Sequence, residues 1–172
     1  MRIFQSILPL CLLFAGGFAK KDSYEEFRQL SLRSSPLKLN DATYSSLTAA
    51  PRNHSVAVLL TALETRFGCQ LCQEFAPEWE VLGRSWTRGD KAGESRLIFG
   101  TLDFADGRET FISVRDEYLD SEQSNCSLEK LMYQFISQLG LQTAPVLLLF
   151  NPTIGPHAAA SPEPVRYDFT AG

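Results

Sequence analysis

Cys69-Gln70-Leu71-Cys72 restricts the fold more than any other feature of the chain, because of what flanks it. Upstream, His54 to Ala62 carries the continuous apolar run Val56-Ala57-Val58-Leu59-Leu60. Such a run reads as a strand buried on both faces, as in a parallel or mixed sheet. Downstream, Leu71, Phe75, Trp79, Leu82 and Trp86 recur at helical spacing. They predict one apolar stripe on a helix from Cys69 to Trp86, with Trp79 and Trp86 in the core. Gln73, Glu74, Glu78 and Glu80 largely fill the other side. The cysteine pair therefore stands where a buried strand hands over to a helix.

That position carries chemistry. The CxxC separation puts both sulfurs near one side of the first helical turn, where a disulfide can close. The first cysteine meets unpaired backbone N–H groups and the positive end of the helix dipole, which favour thiolate over thiol. Cys69 is thus the expected nucleophile. Cys72, deeper in the helix, is the expected resolving thiol in thiol–disulfide exchange. A permanently closed structural disulfide has the same sequence. A zinc site needs four ligands, and beyond Cys11 in the apolar N-terminal stretch only Cys126, His54 and His157 remain, at scattered places. Haem attachment needs a His directly after the second Cys, and Gln73 is there. No Ser-His-Asp arrangement or phosphate-binding glycine loop is evident.

The rest of the chain alternates helices and strands. A helix is predicted over Ser23 to Arg33, a short strand over Leu37 to Leu39, and a second helix from a capping Asp41 through Leu47. Further strands are read at Arg96 to Phe104, Phe111 to Val114, Pro145 to Phe150 and Val165 to Phe169. Leu128, Leu131, Met132, Phe135, Ile136 and Leu139 form another helical stripe, which Gly140 can end. This order is that of an α/β domain with a central sheet flanked by helices. The 172 residues, 44% of them hydrophobic, suit one domain with a proper core. A net charge of −4 without a basic cluster argues against nucleic acid as the main partner.

The N-terminus reads as a leader. Met1-Arg2 is followed by an uncharged stretch, Ile3 to Phe18, and by small residues at Gly17 and Ala19 before Lys20-Lys21. Residues 1–19 are the expected signal peptide, cleaved to leave 20–172 as a single domain in an oxidising lumen. Asn53-His54-Ser55 and Asn125-Cys126-Ser127 are candidate glycosylation acceptors there. Cys126 is the odd cysteine, read as a buried free thiol or a partner for another chain. No retrieval signal of the KDEL type closes the sequence.

Strand, CxxC and helix, with Pro77 further along that helix and Pro145 opening a later strand after Thr143-Ala144, resemble the thioredoxin fold. In that fold the Pro before the last hairpin is cis. More narrowly, Arg52 to Val56, Leu59 to Leu63, Cys69 to Cys72, Ser85-Trp86, Leu102 to Phe104 and Ala144 to Phe150 resemble one family. It is the thioredoxin-like, third-and-sixth (gamma-type) subunits of the oligosaccharyltransferase complex. The resemblance implies an accessory role in N-glycosylation in the endoplasmic reticulum lumen, not glycosyl transfer itself. The partners it implies are client polypeptides with free cysteines and the other subunits of the complex. Cys69 would trap a client cysteine and Cys72 release it. Ala144 and Pro145 would line a peptide groove, and Phe67 is a candidate apolar rim or an ordinary packed loop residue. No metal and no small-molecule cofactor is called for. Family members continue into four membrane helices, a region expected to be absent here. Thioredoxin relatives also carry a buried acid six residues before the first Cys; here that place is Leu63, with Glu64 beside it. A free-standing thiol–disulfide oxidoreductase or isomerase is the alternative function.

Overall fold

The computed structural model describes residues 23–121 and 145–169. The expected leader, the stripe from Leu128 to Leu139, Ala144, Asn125 and Cys126 lie outside the described residues. The elements run α1 (Ser23–Arg33), β1 (Leu37–Leu39), α2 (Asp41–Thr48), β2 (Ser55–Thr61), a 3-10 turn (Thr65–Phe67), α3 (Gln70–Gly89), β3 (Leu97–Asp103), α4 (Arg108–Ser121), β4 (Val146–Phe150) and β5 (Val165–Asp168). The strands form one five-stranded sheet in the order β1-β3-β2-β4-β5. Strands β1, β3 and β2 are parallel; β4 runs antiparallel to β2, and β5 antiparallel to β4. This is the mixed, helix-flanked sheet of a thioredoxin-like fold.

The apolar run of β2 is buried along its length because β2 is the central strand, with β3 on one side and β4 on the other. Its residues alternate between two apolar clusters. Val56, Val58, Leu60 and Ala62 join Leu47 of α2, Phe111 of α4 and Leu148 of β4. Ala57 and Leu59 meet Trp79 of α3 and Phe99 of β3. Period-two alternation has thus placed one set of side chains on each face of the sheet.

The inward face of α3 differs from the predicted stripe. Its buried residues are Cys72, Trp79 and Gly83. Trp79 packs on Phe99, with ring centroids 5.2 Å apart, and donates its indole N–H to Thr101 Oγ1. Trp86, expected in the core, is 43% exposed, and Leu71 and Leu82 are also exposed. The reason is Gly83. A Cβ there would sit 2.8 Å from Pro36 Cγ, so the helix lies against its neighbours on the side of its smallest residue. A periodicity of large apolar residues does not weigh a glycine contact.

The predicted strand over Phe111 to Val114 is instead part of α4. Asp41 explains how that helix starts. The cap of α2 is Asn40, which shares a reciprocal pair of hydrogen bonds with Thr43. Asp41 is thereby left to reach across to α4. Its carboxylate accepts from the backbone N–H of Thr110, at 2.8 Å, from the Thr110 hydroxyl and from the Glu109 N–H. A carboxylate at a helix N-terminus satisfies donors that have no partner within the helix.

Burial raises the Asp41 pKa, but the Thr110 hydroxyl and the two backbone donors outweigh it and hold the group below its ordinary 3.8. The folded value is thus below the unfolded one. The resulting stability is present at neutral pH and is lost as pH falls through the carboxylate range towards the folded value. Asp41→Asn keeps an acceptor oxygen but loses the negative charge at the start of α4, and is expected to cost about 0.3–1 kcal/mol at pH 7. Urea midpoints of the variant and the parent should then converge on acidification below about pH 4. A gap that persists at low pH would remove Asp41 from this role.

Candidate functional site

The C-terminal end of the parallel strands is where the chain turns from β2 into α3. The left-handed conformation at Gly68 (φ 62°) makes the turn, closing the short 3-10 segment with its N–H on the Thr65 carbonyl. Nothing lies within 4 Å of a Cβ built on Gly68, so the backbone angle, not space, calls for glycine. Cys69 follows as the N-cap of α3, one residue outside the helix. Its Sγ accepts the backbone N–H of Cys72 at 3.2 Å. The expected contact of the first cysteine with an unpaired helical donor is therefore present, with the sulfur in the place a capping oxygen usually takes.

Cys69 and Cys72 are joined in a disulfide, with Cα atoms 5.3 Å apart. The two sulfur-bearing residues are unequal. Cys69 is partly exposed, whereas Cys72 has no exposed surface and belongs to the core cluster with Leu60, Ala62 and Val146. An attacking group from solvent has access to the first and none to the second.

The surroundings divide by polarity. Phe67 is half-buried, its ring meeting Phe104 edge-on at 5.1 Å. Arg66 lies over the same ring and pairs with Glu64. Pro145 is fully buried at the entry to β4. The peptide bond before it begins at Ala144, outside the described residues. The cis bonds that are described precede Pro36 and Pro51. On the other side an open cleft of about 500 Å³ is lined by Gly68, Gln70, Gln73 and Glu74.

Leu63, which stands at the sequence position of the thioredoxin acid, is 38% exposed. It lies past the end of β2, so an acid at that position would be partly exposed and not buried. The polar group buried at this end of β2 is Thr61, which is fully enclosed and has an Oγ1 without a partner among the described residues. The nearby carboxylate is that of Asp103, paired in register with Thr61. Asp103 accepts the backbone N–H groups of Leu63 and Ala105 and ties the two loops together. Both residues lie within segments that carry the family resemblance, but no site role was read for either; the register of two strands is what brings them together.

The remaining candidates lie elsewhere. Asn53 is partly buried at the opposite end of β2, and its backbone carbonyl accepts from Arg96 Nε. His54, read from the sequence as a lone residue, is buried against the Tyr24 ring at 5.7 Å. His157 is exposed. Among the described residues no group of His, Cys, Asp and Glu is placed to hold a metal ion. No helix among them is long and apolar enough to cross a membrane.

Comparison with solved structures gives spinach chloroplast thioredoxin f, long form, at TM-score 0.43 and 16% identity, covering 84% of this chain and 81% of that one. The Trx4 domain of ERdj5 gives TM-score 0.39 at 15% identity, covering 80% and 84%. Among curated proteins, the chain resembles three copies of dolichyl-diphosphooligosaccharide–protein glycosyltransferase subunit MAGT1. That of Gallus gallus is 30% identical over 117 residues, 61% of this chain and 35% of the relative. That of Danio rerio is 36% identical over 76 residues, 44% and 23%. That of Homo sapiens is 34% identical over 76 residues, 44% and 22%. The match thus spans about a third or less of these relatives' length. Residues 25–115, more than half of the chain and including the whole disulfide turn, match the model of the OST3 / OST6 family, transporter family, and the chain belongs to that family.

Proposed function

We propose that residues 20–172 form a lumenal domain of an accessory oligosaccharyltransferase subunit that holds client polypeptides through transient mixed disulfides in the endoplasmic reticulum. Family membership and the curated relatives, each named as a subunit of that transferase, support the accessory role. The observation that carries the redox part is the inequality of the pair: a partly exposed Cys69 capping α3, and a Cys72 sealed beneath it.

The exchange follows from that geometry. A client thiolate attacks Cys69 Sγ; its electron pair forms the new S–S bond as the Cys69–Cys72 bond breaks, leaving Cys72 as thiolate. Return attack by Cys72 on Cys69 Sγ expels the client thiolate and restores the original disulfide, with no net oxidation. If a second client thiol attacks instead, the client leaves oxidised and both Cys69 and Cys72 are left reduced. The groove side of the site would be built by Pro145, Ala144 and Phe67.

Cys72→Ser removes the resolving thiol, so a client disulfide attacked by Cys69 stays bound. Adducts that resist washing and are released by dithiothreitol are expected on non-reducing gels. Their absence with every client offered would overturn the redox part. Depletion of the chain from cells tests the accessory part, because acceptor Asn residues close to client cysteines should lose glycan. Unchanged site occupancy would reject it and leave a free-standing oxidoreductase.

A further inference from the structure

Only Gln70 and Leu71 stand between the two cysteines. Gln70 lines the cleft beside Cys69 together with Gly68, Gln73 and Glu74. These side chains are exposed, and two of them are held in relation to each other: Gln70 Nε2 donates to Glu74 Oε1 at 2.7 Å. That bond fixes one carboxylate oxygen of Glu74 and leaves Oε2 without a hydrogen-bond partner among the described residues. The other charges at the rim largely cancel. Arg66, the cation of the preceding turn, is paired with Glu64 and lies over Phe67. Glu78, one turn further along α3, adds a second negative charge on the same helix.

Resting on the exchange reaction above, we propose that this cleft is a specificity subsite for a cationic side chain, Lys or Arg, next to the client's cysteine. A polypeptide disulfide-bonded to Cys69 must pass its neighbouring residues over the surface that surrounds Sγ. In the cleft such a neighbour meets one carboxylate and two side-chain amides. An ammonium or guanidinium group finds acceptors on Glu74, Gln70 and Gln73; the half-positive end of α3 opposes it, but the full charge of Glu74 is the larger, and a carboxylate finds that charge opposed to its own. The attraction raises the rate at which basic clients reach Cys69, and salt screens it. A domain with an acidic balance, −4 overall, adds to the same preference at longer range.

The test uses three peptides with blocked ends and one cysteine, flanked by Lys, Ser or Glu on either side, and the oxidised full chain. Rates of mixed-disulfide formation are divided by the rates of the same peptides with a small symmetrical disulfide, which removes differences in intrinsic thiol reactivity. The normalised Lys-to-Glu ratio is expected to be about two- to fivefold at low salt, the size of one exposed ion pair. It should fall towards one in Glu74→Gln, invert in Glu74→Lys, and shrink at high salt. A ratio of one in the parent chain, or a ratio that Glu74→Gln does not change, overturns the subsite. If no peptide reacts, the exchange reading fails by itself. Binding of the same peptides with Ser replacing Cys, followed by fluorescence anisotropy, still decides whether the cleft selects Lys over Glu.

Discussion

Cys69→Ser will reduce client capture to the level of a variant lacking both cysteines, while Cys72→Ser will keep the capturing reaction and lose only release. The two substitutions are chemically alike and both abolish the same disulfide, so the difference between them measures position alone. Cys72 has no exposed surface and is enclosed with Leu60, Ala62 and Val146. The attacking thiolate must line up with the client S–S bond that it breaks, expelling the far sulfur as thiolate, and a sealed residue offers no room for that approach. Cys69 caps α3 from outside the helix, is partly exposed, and carries the Cys72 N–H on its sulfur. Rates of adduct formation with a cysteine peptide disulfide, measured for the two single variants and the double variant, should be strongly unequal, with Cys69→Ser at the level of the double variant and Cys72→Ser far above both. Loss of the disulfide itself is common to all three, which removes stability as an explanation. If Cys69→Ser forms adducts through Cys72 at a rate near that of Cys72→Ser, the nucleophile has been misassigned.

The parts of the molecule that were legible in the sequence are those decided locally. The run Val56 to Leu60 announces a strand buried on both faces, and β2 is the central strand. The cysteines announce a strand-to-helix turn, and the structure puts Cys69 at the cap of α3. What was not legible depended on distant residues. Phe111, Ile112 and Val114 look like a short strand because three β-favouring residues stand close together. They are helical, with the start of α4 hydrogen-bonded to Asp41, a residue 69 positions before Thr110. Asp41 was itself read as the cap of its own helix, a place that Asn40 occupies. Leu63 occupies the sequence position of an acid that thioredoxin relatives bury, yet it is 38% exposed past the end of β2. Glu74 and Gln73 were legible only as part of the polar side of α3, and Gln70 carried no reading. In the fold they line an open cleft together with Gly68, which the left-handed turn before α3 places beside them.

The same distinction between pattern and packing predicts the largest stability effect. Leu60 and Leu82 both belong to apolar patterns, one in the β2 run and one in the α3 stripe, and nothing in their identity separates them. In the fold, Leu60 is 1% exposed, between Leu102 of β3 and Val146 of β4 in register, and Leu82 is 48% exposed. Leu60→Ala removes buried methyl groups from the centre of the sheet and leaves a cavity that flanking strands cannot easily close. The expected cost is about 2–5 kcal/mol. Leu82→Ala changes a side chain half in water and is expected to cost under about 0.5 kcal/mol. Urea titration followed by tryptophan fluorescence should show a lower midpoint with an unchanged slope for Leu60→Ala, and a midpoint near the parent's for Leu82→Ala. Because Leu60 shares its cluster with Cys72, the first variant should also expose the resolving cysteine to alkylation after reduction, at denaturant concentrations where the parent still protects it. Equal losses in the two variants would mean that α3 packs by the stripe of large residues after all. The account of its contact through Gly83, and with it the burial that distinguishes Cys72 from Cys69, would then be wrong.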